Sequence, residues 1–173
     1  MVSCLFLVVL GVCGLVGAQQ EGLEARVEKL EQKIDELVKS RVGFSAALVQ
    51  SPEWTSVGPF EQDHILKFEK VVTNIGNGYN PQTGVFTAPV KGLYYVRLTG
   101  AVGSTGNVNA ALLKNDENMF AIYHKAGNQA SASNGMVLAL EQGDRLYAKL
   151  WASQTIADQS RLSTFSAFLV FPM

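Results

Sequence analysis

Cysteine is almost missing from this 173-residue chain: Cys4 and Cys13 are the two copies, and both lie in an apolar N-terminal run. Beyond that run there is no thiol to form a disulfide, attack a substrate or ligate a metal. Histidine is equally scarce, with His64 and His124 alone, and neither a His-Glu-x-x-His nor a Gly-x-Ser-x-Gly pattern occurs. No catalytic set emerges, so an enzyme is not expected. Asp63 and His64 are adjacent and would point to opposite faces of a strand. His124 reads as a surface residue, because a metal site needs several convergent ligands. From residue 42 onward nine basic residues balance nine acidic ones without a Lys or Arg cluster. That removes the electrostatic footprint of nucleic-acid binding. There is also no Gly-X-Y repeat, hence no collagen stalk, and no N-glycosylation sequon.

What is present divides the chain into three parts. Residues 1–18 contain the uncharged apolar run Val2 to Ala18 and end in small residues, Val16-Gly17-Ala18. This reads as a secretory signal peptide cleaved before Gln19, which predicts an extracellular protein with no membrane span after processing. The alternative is a signal anchor, for which the run is short, and the absence of Lys or Arg at its start is the feature least like a signal. Residues 19–41 are dense in charge, with Leu23, Val27, Leu30, Ile34 and Leu37 spaced four, three, four, three. With Val27 and Ile34 at a, the three leucines fall at d, Arg26 and Lys33 at g, and Glu24 and Glu31 at e, a short coiled coil with opposite charges facing between helices. A lone solvated helix is the plainer alternative for so few heptads. The run Arg26 to Glu31 resembles a pattern of trimeric coils, whereas a β-branched a with Leu at d favours dimers. Residues 42–173 form the third part.

That part carries strand signals throughout. Val71 to Ile75 is rich in β-branched residues, Gly76, Gly78, Asn80 and Pro81 mark a turn, and Gly84 to Thr87 is a short strand. In Tyr94 to Thr99, Tyr94, Val96 and Leu98 share one face and Tyr95, Arg97 and Thr99 the other. Asn107 to Leu113, Met119 to His124, Gly135 to Leu140 and Arg145 to Trp151 have strand composition, with Gly143-Asp144 at one break. Many short strands at this pitch indicate a sandwich or barrel.

Within this part Phe68, Asn74, Tyr79, Phe86, Gly92 and Tyr94 fall at fixed intervals. The spacing resembles the signature of the complement C1q globular-head family, with Val96 and Leu98 where the family has aromatics. Val42 to Leu48, with Phe44, resembles the family's first strand. Ser163 to Leu169, with Phe165, Ala167 and Phe168, resembles its last. The resemblance implies an all-β, ten-stranded jelly-roll sandwich of the C1q/tumour necrosis factor type, here preceded by a short coiled-coil helix. It also implies that Phe44, Phe68, Asn74, Tyr79, Phe86, Gly92, Tyr94, Gly143, Asp144, Phe165 and Phe168 form the signature core; Phe168 and Phe171 are candidates for a subunit flank as well.

The function the resemblance implies is recognition outside cells by a homotrimer, or a heterotrimer with related chains. Its ligands would be a protein receptor or a microbial or carbohydrate surface, as in innate pattern recognition. The alternative is a structural or intercellular-organiser protein that uses the domain mainly for assembly. Leu23, Arg26, Val27, Leu30, Glu31, Ile34 and Leu37 are the candidate oligomerisation residues. No cofactor is predicted. Relatives bind calcium near the top of the trimer, but Tyr123 to Asn134, the corresponding loop, contains neither Asp nor Glu. Asp116, Glu117 and Asp158 read first as solvated loop charges. Trp54, Tyr123, His124, Lys125 and Trp151 offer aromatic and polar contacts, and Trp54 suits either a core cap or a ligand contact. No ligand site is assigned.

Overall fold

The computed structural model describes residues 20, 22–38, 40–125 and 127–173. The segment read as a signal peptide lies outside the described residues. The chain divides into two units, Met1–Lys39 and Ser40–Met173. In the first, residues 22–38 form helix α1, and Gln20 Nε2 donates a hydrogen bond to Glu24 Oε1 at 3.3 Å. Leu23, Val27, Leu30, Ile34 and Leu37 are all exposed on it, as are Arg26 and Glu31. Among the described residues no helix is long and apolar enough to cross a membrane.

The second unit is all β. Among the described residues its strands are β1 (Gly43–Ala47), β2 (Thr55–Val57), β3 (His64–Ile65), β4 (Lys70–Ile75), β5 (Tyr79–Asn80), β6 (Val85–Thr87) and β7 (Gly92–Val102). They continue with β8 (Val108–Lys114), β9 (Glu117–His124), β10 (Ala130–Leu140), β11 (Arg145–Leu150), β12 (Ile156–Asp158) and β13 (Thr164–Pro172). The count exceeds the ten expected because several segments are only two or three residues long. One sheet runs β2-β12-β7-β13-β1-β4, with β10 also paired to β7; the other runs β5-β6-β11-β8-β9, with β3 on β11. All pairings are antiparallel, and a jelly-roll sandwich results.

The signature spacing has a physical cause. Phe44, Phe68, Phe86, Tyr94 and Phe165 are essentially inaccessible between the sheets. Phe44 stacks on Tyr79 with centroids 4.5 Å apart and meets Phe165 edge-on at 4.8 Å. Asn74 is partly buried because its amide copies a backbone pair: Nδ2 donates to the Tyr79 carbonyl at 2.8 Å and Oδ1 accepts from the Tyr79 N–H at 3.2 Å. The Tyr79 hydroxyl in turn accepts from Phe68 N–H at 3.0 Å and donates to the Phe68 carbonyl at 3.1 Å. Val96 and Leu98 are fully buried on the Tyr94 face, so aliphatics there fill the core without changing the alternation. At Gly92 a Cβ would lie 2.6 Å from the Phe171 carbonyl oxygen, and this backbone approach excludes any side chain.

Several expectations need correction. Phe168 is 50% exposed rather than in the core, because β13 buries Phe165 and Ala167 and period two sends Phe168 to the opposite face. Gly143 and Asp144 form a turn, not core, with Gly143 at φ +92°. Asp144 organises that turn, accepting from Glu141 N–H at 2.9 Å, Asn115 Nδ2 at 2.7 Å and Lys114 Nζ at 2.9 Å. Residues 130–134, expected in a loop, belong to β10 and pair with β7. Asp158 is not solvated: it is 1% exposed and accepts from Ser163 N–H at 3.1 Å and Val49 N–H at 3.3 Å. Its two oxygens thereby satisfy backbone donors that would otherwise be orphaned.

Candidate functional site

The outward face of the larger sheet gathers residues from five strands into one row. Direct cross-strand partners run Val137 on β10, Tyr95 on β7, Phe168 on β13, Gly43 on β1 and Ile75 on β4. Partners directly opposite in a ladder project to the same side, so the row is a continuous apolar band. Val137, Phe168 and Ile75 are each at least half exposed. The Tyr95 and Phe168 rings lie 5.6 Å apart. A Cβ at Gly43 would come within 3.3 Å of the Phe168 Cβ, so glycine leaves room for the neighbouring ring. Past a register shift between Leu169 and Phe171, exposed Val170, Phe171 and Met173 extend the apolar surface.

The adjacent row is polar but nearly uncharged: Gly135, Arg97, Ser166, Ser45 and Thr73. Ser45 Oγ and Ser166 Oγ are 2.8 Å apart, and Arg97 Nη2 donates to Ser133 Oγ at 3.4 Å. An aromatic and aliphatic band beside hydroxyls and one arginine has the composition of an interface centre, which is depleted of Lys, Glu and Asp. Sequence parity already placed Tyr95 opposite Tyr94. Val137 and Ile75 were missed because only strand pairing brings them to Phe168.

The loop candidates are dispersed. Trp54 is partly buried just before β2, while Trp151 follows β11 in the other sheet and packs beside the small cluster of Val85, Ala111, Leu113 and Tyr147. Lys149 Nζ lies 5.9 Å from the Trp151 ring centroid. Tyr123 and Lys125 are exposed and His124 closes β9 partly buried. His64 stacks on Phe60 at 3.9 Å, and Asp63 Oδ1 accepts from Ala152 N–H at 3.0 Å, so this pair serves the backbone and a ring contact. Asp116 Oδ1 accepts a hydrogen bond from the Tyr147 hydroxyl. Burial, and then that bond to Asp116, push the Tyr147 hydroxyl above its ordinary range. Among the described residues no three His, Cys, Asp or Glu side chains converge as a metal site.

The family profile of the C1q domain matches residues 44–170. The chain is 34% identical over 120 residues to a human complement C1q subcomponent polypeptide, covering 66% of this chain and 46% of that relative. It thus spans about half the length of the curated relative it matches. The solved globular domain of zebrafish complement 1qA protein matches with a TM-score of 0.58 at 20% identity, covering 76% of this chain and 99% of that one. Murine APRIL matches with a TM-score of 0.59 at 14% identity, covering 75% and 99%. Eiger TNF from S. frugiperda matches with a TM-score of 0.57 at 15% identity, covering 78% and 95%. At these identities the structural likeness is one of fold.

Proposed function

Because the chain belongs to the C1q domain family, we propose that it is a secreted, non-catalytic recognition protein that assembles as a homotrimer and binds extracellular protein or glycan ligands. The observation that carries this reading is the apolar row from Val137 to Ile75. Its exposed aliphatic and aromatic side chains lie on an ordered sheet face, where a monomer would leave them in water. A face of this composition is suited to burial against another copy, and the closed symmetry of most homo-oligomers lets identical faces all be covered. Three ligand sites on one particle then convert weak single contacts into avidity. Assembly is calcium-independent in this reading, supported by the absence of Asp and Glu from residues 123–134.

Light scattering on the chain from Gln19 onward, with and without EDTA, tests this. The expected mass is three chains in both buffers. Phe168→Asp, which puts a carboxylate at the centre of the row, should shift the protein to monomer without unfolding it, since Phe168 contributes little to the core. A monomeric parent protein, or a trimer indifferent to Phe168→Asp, would remove the apolar row from its assigned role. Dissociation in EDTA would show that a cation is required after all.

A further inference from the structure

The loops at the far end of β7 line a solvent-open cavity of about 570 Å³, within the usual size of a small-ligand site. It adjoins a second cavity of about 240 Å³, and Trp54 and Gln129 line both. Among the described residues no charged side chain lines the larger one. Its polar wall consists of hydroxyls and carboxamides, including Ser56, Thr105, Asn107, Gln129 and Thr155, groups that can donate as well as accept. The side chains of Ser56, Ser104, Thr105, Gln129 and Ser153 make no hydrogen bond to the protein among the described residues, which leaves them available to a ligand.

The wall is built rather than loose. A Cβ at Gly103 would lie 3.4 Å from Trp54 Cζ2, so the indole rests against bare backbone. Gly106 sits so close to Thr155 that a Cβ there would overlap its hydroxyl. Thr155 N–H donates to the Asn107 carbonyl at 2.8 Å, which ties the loop after β7 to the one before β12. Gly127 N–H donates to the Ser104 carbonyl at 3.2 Å, which ties in the loop before β10. A site preformed in this way loses little entropy on binding.

We propose that these joined cavities bind a neutral oligosaccharide, with one pyranose ring stacked on the Trp54 indole and its hydroxyls held by the surrounding Ser, Thr, Asn and Gln side chains. A pyranose presents an apolar C–H face and a rim of hydroxyls, which is the complement of one aromatic plane ringed by neutral donors and acceptors. A sialylated, sulfated or phosphorylated ligand would bring charge into a wall with no counter-charge. The second cavity, with Ala101, Ala130 and Leu162 in its wall and Trp54 and Gln129 shared with the first, extends the site beyond a single ring. This inference rests on the recognition reading above and names its ligand class.

The test uses the whole chain and a panel of short uncharged oligosaccharides of glucose, mannose, galactose and N-acetylglucosamine, beside sialylated and sulfated glycans. Trp54 and Trp151 are the two tryptophans, so emission reports the site directly. The expected result is that a neutral oligosaccharide perturbs emission, that Trp54→Phe abolishes this signal while retaining weaker binding by calorimetry, and that Trp54→Ala weakens binding by about tenfold or more. Thr105→Val, at an exposed hydroxyl without a protein partner, should weaken binding and leave folding intact, so it decides the matter if Trp54→Ala misfolds. Binding to charged glycans alone, no binding to any glycan, or affinity unchanged in both Trp54→Ala and Thr105→Val would each overturn the site. Light scattering on the same samples separates this from assembly: a monomer that binds through Trp54 would refute the trimer and keep the site, and a trimer silent on the panel would do the reverse.

Discussion

Replacing Tyr79 by Phe removes one oxygen and keeps the ring. That ring lies parallel to Phe44 at 4.5 Å and is 3% exposed, so the aromatic packing is retained in the variant. The oxygen, however, serves both backbone groups of Phe68, a fully buried residue outside any strand. Each buried group left without its partner costs about 1–3 kcal/mol. Two such groups, with some local relaxation, give an expected loss of about 2–4 kcal/mol. Against a typical total of about 5–15 kcal/mol this is a large fraction. Denaturant unfolding at fixed protein concentration reads it as a lower midpoint at unchanged slope; the concentration is fixed because the proposed assembly would contribute to apparent stability. The same residue gives a signature in pH. Burial pushes the Tyr79 hydroxyl from 10.0 up to about 12, partly offset by its bond to Phe68. A raised pKa contributes stability fully present below pH 10.0 and lost as pH rises towards about 12. Tyr79→Phe should therefore flatten that part of the alkaline limb. A loss under about 1 kcal/mol, with the alkaline limb unchanged, would refute the bridging role of the hydroxyl.

Three further outcomes follow from other contacts. Ser163 is fully buried, accepts from Ala101 N–H at 2.8 Å and donates to the Ala157 carbonyl at 2.5 Å, so Ser163→Ala should cost about 2–3 kcal/mol in the same unfolding assay. Val27→Asp combined with Ile34→Asp should abolish any pairing of α1 while the β unit keeps the three-chain mass proposed above in light scattering, because unpaired charges at a positions are not compensated. Burial acts to raise the Asp144 carboxyl, but its bonds from Lys114, Asn115 and Glu141 N–H outweigh this and hold it below 3.8. A lowered pKa contributes stability present above pH 3.8 and lost as pH falls through the folded value. Asp144→Asn should remove that acid step in a pH series of unfolding midpoints.

The aromatic spacing was readable because each signature residue answers a local demand. Asn74 mimics a backbone pair for Tyr79 five residues on, and Tyr94, Val96 and Leu98 alternate along one strand. Phe168, a candidate for both the core and a subunit flank, lies outside the core, as its opposite parity to Phe165 and Ala167 requires. Strands β2, β3 and β12 escaped notice because two or three residues carry too little periodicity to register. Asp158 looked like a loop charge since nothing in its neighbours announces that Val49, distant in sequence, donates to it. The apolar row and the Trp54 cavity share that difficulty. Both are assembled from segments that meet only through long-range pairing, which no local pattern encodes.

Gly43 at the start of β1 pairs with Phe168 near the finish of β13, and Pro172 pairs with Gly92 where β7 begins. Both ends of the β unit therefore emerge on one side, while Trp54 and the loops around it lie at the opposite end of β7. A surface or a fused protein joined at either end of the β unit is therefore attached at the end away from Trp54. Tethering at that end leaves the loop end open to the ligand proposed there.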